Sequence, residues 1–180
     1  YDGEFKEDQR AGQGTFLGSD GYKYVGEWAE GQIQGAGEVT YPDGSFYAGN
    51  FVNGLASGTG KIQYPDGSVY EGEWNAGVIE GLGRAQYSNG VVYEGGFKNA
   101  RNHGYGIMDY GNGYIYEGDW KDGNRHGKGV SKFADGMIYE GDYLNGKRHG
   151  VGKIILADGF RYEGEWLAGE ITGQGIATYS

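Results

Sequence analysis

Val69-Tyr70-Glu71-Gly72-Glu73-Trp74 puts Tyr70, Gly72 and Trp74 on one side of an extended chain and Val69, Glu71 and Glu73 on the other. A few residues later, Gly81-Leu82-Gly83-Arg84-Ala85-Gln86-Tyr87 alternates again, with Gly81, Gly83, Ala85 and Tyr87 sharing a side. Period two, not 3.6, governs both stretches, so both read as β-strands. Asn89-Gly90 then supplies a residue pair tolerant of positive φ, which signals a tight hairpin turn. A looser loop over Asn75–Glu80 is expected to join the two strands.

Working outward, the pattern returns every 23 residues without an insertion. Tyr stands at Tyr1, Tyr24, Tyr47, Tyr70, Tyr93, Tyr116, Tyr139 and Tyr162. Two residues after each comes Gly, and four after each an aromatic: Phe5, Trp28, Phe51, Trp74, Phe97, Trp120, Tyr143, Trp166. Gly recurs eleven and thirteen places after the Tyr in all eight copies, from Gly12 and Gly14 to Gly173 and Gly175. Asp-Gly or Asn-Gly closes each full copy, as at Asp43-Gly44 and Asn112-Gly113. The reading is one array over residues 1–180, with repeats 1–23, 24–46, 47–69, 70–92, 93–115, 116–138, 139–161 and 162–180. The expected fold is all-β: an elongated, single-layer antiparallel meander of eight stacked hairpins, in which each repeat touches only its neighbours. Gly weakens a strand unless something needs the space. Here the glycines at the eleventh and thirteenth places are expected to lie under large rings, which would form a stacked row with ~0.5–1.5 kcal/mol per good aromatic pair.

Composition agrees. Of 180 residues 40 are Gly and only 2 are Pro, about three times the usual glycine content of roughly 7%. Collagen is excluded, since Gly does not fall at every third place and Pro is scarce. With 17 Tyr, 7 Phe and 4 Trp, the chain is too aromatic for simple disorder. The net charge of −10 repels phosphate, which argues against nucleic acid and against broad docking on anionic lipid. The charge is uneven. Residues 1–92 carry 13 acids and 5 bases, residues 93–180 carry 12 acids and 10 bases, so an anion-binding surface would lie in the second half. The absence of Cys removes disulfides, thiolate catalysis and Cys-based zinc sites and agrees with a cytoplasmic location. No apolar run approaches the length of a membrane-spanning helix. A chain beginning at Tyr1 rather than Met is expected to be a fragment or processed form.

Tyr116-Glu117-Gly118-Asp119-Trp120-Lys121-Asp122-Gly123-Asn124-Arg125-His126-Gly127-Lys128-Gly129 resembles the MORN (membrane occupation and recognition nexus) consensus, as does Tyr139–Gly152. The resemblance runs through all eight repeats, although the first four lack the Arg/Lys-His-Gly segment. It implies an all-β array of stacked hairpins and a scaffold role. It also implies partner helices bound in an aromatic groove, homodimerisation through terminal repeats and binding of phosphoinositides. The uninterrupted array is particularly similar to cytoskeletal MORN proteins of protozoan parasites, which implies a cytoskeleton-associated location.

Candidate sites follow. No cofactor and no enzymatic activity are expected: the Gly-x-Gly pairs belong to the repeat rather than to a phosphate loop. Twelve of the 25 acids fall one or three places after the repeat Tyr, which reads as a solvated strand face rather than a catalytic dyad. His103, His126 and His149 are 23 residues apart, about 10 Å between alternate strands, too far to share one metal within a chain. A zinc held between two chains is the remaining option, against a structural role in the loop. Arg101, Arg125, Lys128, Lys147 and Arg148 are candidates for a basic edge that takes a lipid headgroup; otherwise they are loop residues paired to nearby acids. Tyr24, Trp28, Tyr47, Phe51, Tyr70, Trp74, Tyr93, Phe97, Tyr116 and Trp120 are the candidate partner groove. The array begins and ends in mid-motif, and uncapped sheet edges pair with other chains. Tyr139, Tyr143, Tyr162 and Trp166 are therefore the dimerisation candidates. Three function classes emerge: a non-enzymatic, homodimeric cytoskeletal scaffold; a peripheral phosphoinositide-binding module; and, remotely, a regulatory segment of an enzyme.

Overall fold

In the computed structural model, which describes residues 1–179, every regular element is a β-strand. The chain divides into two units, Tyr1–Ser88 and Asn89–Ser180. The first unit holds β1 (Asp2–Lys6), β2 (Gln9–Leu17), β3 (Lys23–Ala29), β4 (Gln32–Thr40), β5 (Phe46–Val52), β6 (Leu55–Gln63), β7 (Val69–Asn75) and β8 (Val78–Gln86). Each strand pairs antiparallel with the next in the chain. The second unit repeats the plan with β9 (Val92–Lys98), β10 (Arg101–Asp109), β11 (Ile115–Lys121), β12 (Asn124–Lys132), β13 (Ile138–Leu144), β14 (Lys147–Ile155), β15 (Arg161–Leu167) and β16 (Glu170–Thr178). The expected meander of hairpin repeats is thus present in each unit.

Register explains the glycines. Gly60 pairs with Gly72, and Gly72 pairs with Gly83. The same pairing runs across every strand of the first unit and, from Gly95 to Gly175, across the second. The result is a line of bare backbone crossing each sheet. The repeat Tyr lies over this line. A Cβ on Gly83 would come within 2.5 Å of the Tyr70 ring, and one on Gly72 within 2.5 Å of the Gly83 Cα. The Tyr70 hydroxyl reaches past both and donates to the Glu73 carbonyl at 2.9 Å. The bond recurs at Tyr24, Tyr47, Tyr93, Tyr116 and Tyr139.

Only the thirteenth-place glycines, with those two places after the Tyr, serve the rings. The eleventh-place glycines do not, contrary to expectation. Gly81 has φ +95°, and no ring contact: its nearest neighbour is the Glu73 carboxylate. It sits where the β7–β8 register jumps from Gly72↔Gly83 to Trp74↔Ile79, a bulge. Left-handed backbone, not ring space, selects Gly there. The Glu73 carboxylate accepts the freed Leu82 N–H at 2.6 Å, and the equivalent acids do so at Lys128, Val151 and Gln174. Acids expected only to be solvated therefore close the bulge.

The two turn types are also the reverse of the expectation. Within each repeat the strands join by a tight two-residue turn, as at Ala76 (φ 46°) and Gly77 (φ 84°), both left-handed as a type I′ turn requires. The Asp-Gly sites form the longer link between repeats. At Tyr64-Pro65-Asp66-Gly67-Ser68, Gly67 N–H donates to Tyr64 O at 3.0 Å and Tyr64 N–H to Ser68 O at 2.9 Å. Pro65 fixes φ near the first corner, and Asp66 Oδ1 accepts the Ser68 N–H at 2.9 Å. Glu30, Ala76 and Ala168 at the first corner of their tight turns carry no Asn-Gly or Asp-Gly signal, although Asn53-Gly54, Asp122-Gly123 and Asn145-Gly146 do.

The core is a ladder of rings. Tyr47 meets Phe51 of its own repeat at 5.1 Å and Trp74 of the next at 5.1 Å, at 78° and 83°. Tyr116 does the same with Trp120 and Tyr143, and Tyr139 with Tyr143 and Trp166. The rings are edge-to-face rather than stacked flat as expected, because the quadrupole favours an edge against a face. Beyond the strand ladder, recurring hydrogen bonds tie repeat to repeat. Trp Nε1–H donates to the thirteenth-place Gly carbonyl of the preceding repeat, as Trp74 to Gly60 at 3.1 Å. The turn glycine likewise donates backward, as Gly77 to Ala56 O at 2.8 Å.

Candidate interaction surfaces

The ladder consumes the residues expected to form a partner groove. Tyr24, Trp28, Tyr47, Phe51, Tyr70, Tyr93, Phe97, Tyr116 and Trp120 are buried against one another, and Trp74 is half-buried. Tyr139, Tyr143 and Trp166, expected at a dimer contact, are equally buried, with Tyr162 half-buried. A single-layer sheet has no second layer, so the large rings cover each other and leave almost no surface to offer. Burial also pushes the hydroxyls of Tyr24, Tyr47 and Tyr70 up to about 12, and those of Tyr116 and Tyr139 further up. They stay neutral donors.

The opposite face is open. In the first unit a hollow of about 850 Å³ is bordered by Val25, Glu27, Ala36, Glu38, Asn50 and Lys61. In the second, a hollow of about 750 Å³ is bordered by Tyr105, Glu117, Lys128, Val130, Val151 and Lys153. Leu82 and Tyr105 stand on this face, 68% and 57% exposed, and the Tyr105 hydroxyl donates to the Glu117 carboxylate. Lys128 reaches Asp142 Oδ1 at 2.6 Å. Burial acts to raise the Asp142 carboxyl, but the Lys128 and Val151 hydrogen bonds outweigh it and hold the group below its ordinary value.

The five basic candidates do not form one stripe. Arg125 and Arg148 lie on the ring face, at the place that Ile33, Ala56, Ile79 and Ile171 occupy in other repeats. The Arg125 guanidinium sits 5.3 Å from the Tyr143 centroid and donates to the Tyr114 hydroxyl and, at 2.6 Å, to the Gly146 carbonyl. That of Arg148 lies over Phe133, Tyr139 and Trp166 at 4.8–5.5 Å. Lys128 belongs to the opposite face with Asp142, while Arg101 and Lys147 are exposed at the starts of β10 and β14. One cue was available in the sequence: alternation puts this place on the ring face, where four repeats carry Ile or Ala, Asn102 stands in the fifth and Arg10 in the first.

The histidines stay apart from any metal-like cluster: no group of three or more His, Cys, Asp or Glu gathers among the described residues. His103 Nδ1 accepts the Asp122 N–H at 3.4 Å, and His126 Nδ1 is buried without a partner. His149 pairs across the strands with Asp142. Among the described residues no helix is long and apolar enough to cross a membrane.

Hairpins that bury their rings only by stacking on the next copy define a β-repeat protein. The MORN repeat family model matches residues 1–21, 24–46, 47–69, 70–92, 93–113, 116–138, 139–161 and 162–180. The chain belongs to the MORN repeat family. No curated protein matches it in sequence. Among solved structures, it is similar to the TCP domain of SAS-4 (dCPAP) of Drosophila melanogaster in complex with a proline-rich motif of Ana2 (dSTIL), at 14% identity and TM-score 0.48 over 85% of this chain and 78% of that one. It is also similar to the G-box domain of the microcephaly protein CPAP, at 16% identity and TM-score 0.40 over 94% and 99%. A third likeness is the TCP10 domain of Danio rerio CPAP in complex with a STIL peptide, at 13% identity and TM-score 0.35 over 93% and 99%.

Proposed function

We infer that this chain is a non-enzymatic MORN scaffold that binds protein partners and self-associates within cytoskeletal assemblies. The observation that carries the reading is the division of labour between faces. One face closes on itself through the ring ladder, while the other keeps open hollows of about 850 and 750 Å³ lined by small, apolar and charged side chains. A long, open surface of that kind suits an elongated protein segment better than a small substrate, which is held in a concave pocket that buries most of it. Tyr105 and Val151 are its apolar anchors in the second unit.

A second reading, a peripheral phosphoinositide-binding module, draws support from the two guanidinium groups on the ring face. Lys147 joins them at the rim of one hollow, while Arg101 and Lys128 do not, so the five do not make one basic edge.

Liposome sedimentation with phosphoinositide vesicles at two salt concentrations, run beside light scattering for mass, separates the two. A dimer mass without pelleting is the expected result. Salt-sensitive pelleting that disappears in Arg125→Gln and Arg148→Gln would replace the scaffold reading with the membrane one.

A further inference from the structure

On the ring face of the second unit, Arg125 and Arg148 border one hollow of about 390 Å³ together with Tyr114, Phe133 and Tyr143. The same place holds Ile33, Ala56, Ile79 or Ile171 in four other repeats, Asn102 in the fifth and Arg10 in the first, so folding alone does not require a guanidinium there, and Arg125 and Arg148 are the pair that stand on consecutive repeats. Placing a guanidinium half-buried among rings removes part of the water from a charge; the ring faces offset some of that cost and an anion at its free N–H groups would offset more. Among the described residues no such anion stands beside Arg148. No carboxylate lines the hollow, and among the described residues the Arg148 guanidinium has ring contacts but no hydrogen bond or ion pair. Arg125 spends two donors on Tyr114 and Gly146, which fixes its plane and leaves further N–H groups. Lys147 adds a third positive charge at the rim.

We propose that the Arg125–Arg148 hollow is a docking site for an acidic protein segment, whose carboxylates bridge the two guanidinium groups while its apolar atoms rest on Tyr114 and Phe133. Arg125 and Arg148 occupy equivalent places on alternate strands, β12 and β14, so the two carboxylates should stand about 10 Å apart. A guanidinium resting over rings still has N–H groups to offer a carboxylate. A protein segment is favoured over an anionic membrane because residues 93–180 remain net negative, with 12 acids against 10 bases. A short acidic segment can enter a local positive hollow that a whole charged bilayer approaches only against this field. The site lies on the opposite face from the open hollows of the scaffold reading and stands independently of them.

The test is titration of the full chain, labelled with nitrogen-15, with octa-glutamate peptide at low and physiological salt. The expected result is saturable movement of the Arg125 and Arg148 Nε–H and Trp166 Nε1–H signals, with Arg10 as an internal control. Arg10 also lies over rings, in the first unit, but has no second guanidinium beside it. Arg148→Gln should weaken binding about tenfold, in line with a charge-assisted hydrogen bond. Arg148→Lys, which keeps the charge and the packing stem, should weaken it less, and Arg10→Gln should leave it unchanged. Absence of saturable shifts would overturn the proposal. So would equal shifts with octa-lysine, or shifts seen with phosphatidylserine vesicles and not with the peptide. A scaffold that still dimerises but ignores octa-glutamate would sink this site alone.

Discussion

The Trp74 indole N–H donates to the Gly60 carbonyl at 3.1 Å, fourteen residues back and in the preceding repeat. The bond joins the two features that define the array, a ring and a bare backbone position. Repeats whose ring is Phe51 or Phe97 have no donor to offer there. Trp74→Phe keeps the ring and loses the bond, leaving the Gly60 oxygen without its indole partner. The expected cost is about 1 kcal/mol, read as a lower thermal midpoint by circular dichroism. An unchanged midpoint would show that the bond contributes nothing.

The two kinds of repeat glycine should fail differently. Gly83→Ala drives a methyl into the Tyr70 ring and the neighbouring backbone, and overpacking of this type costs about 1–3 kcal/mol. At Gly81 the difficulty is φ +95°, a region that Asn enters more readily than other side chains. Gly81→Asn should therefore unfold at higher denaturant than Gly81→Val, whereas at Gly83 Asn should be no better tolerated than Ala. Equal ranking at both sites would contradict the division between ring space and backbone strain.

Alkaline titration reports the ladder directly. Tyr24, Tyr47 and Tyr70 are raised to about 12, against ~10 in an unfolded chain. The folded state thus holds protons that the unfolded state releases. Their contribution is full below pH ~10 and is lost as pH rises through about 12. Phenolate absorbance should rise in two phases in buffer, exposed tyrosines first, and in one phase near pH 10 in denaturant.

At the acid end the sign reverses. The Asp142 carboxyl lies below 3.8 in the folded chain, so its contribution is present above that value and fades as pH falls through the folded one. The partner Lys128 is largely exposed, which limits the pair to under about 1 kcal/mol. Asp142→Asn should flatten the acid limb of a stability–pH curve, while stability near neutrality falls only slightly.

Most of the fold was legible because the Tyr-x-Gly-x-aromatic period is uninterrupted and alternation assigns faces without ambiguity. Three things were not. Ala76 and Glu30 adopt left-handed backbone in tight turns, a conformation that their identity does not advertise. Gly81 and Gly83 look alike in sequence, yet one relieves a bulge and the other makes room for a ring. Proximity in sequence also grouped Arg125 with Lys128, although alternation across the bulge sends them to opposite faces. The aromatic rows were recognised, but a chain of rings that large closes on itself, so the residues most conspicuous in sequence became interior.

Within each unit a repeat Tyr such as Tyr47 or Tyr116 meets rings of its own block and of the next. Whole blocks of 23 residues can accordingly be duplicated or deleted without altering the surroundings of those further away. Copy number, set by recombination rather than by refashioning an interior, becomes the natural variable by which such a protein changes its reach.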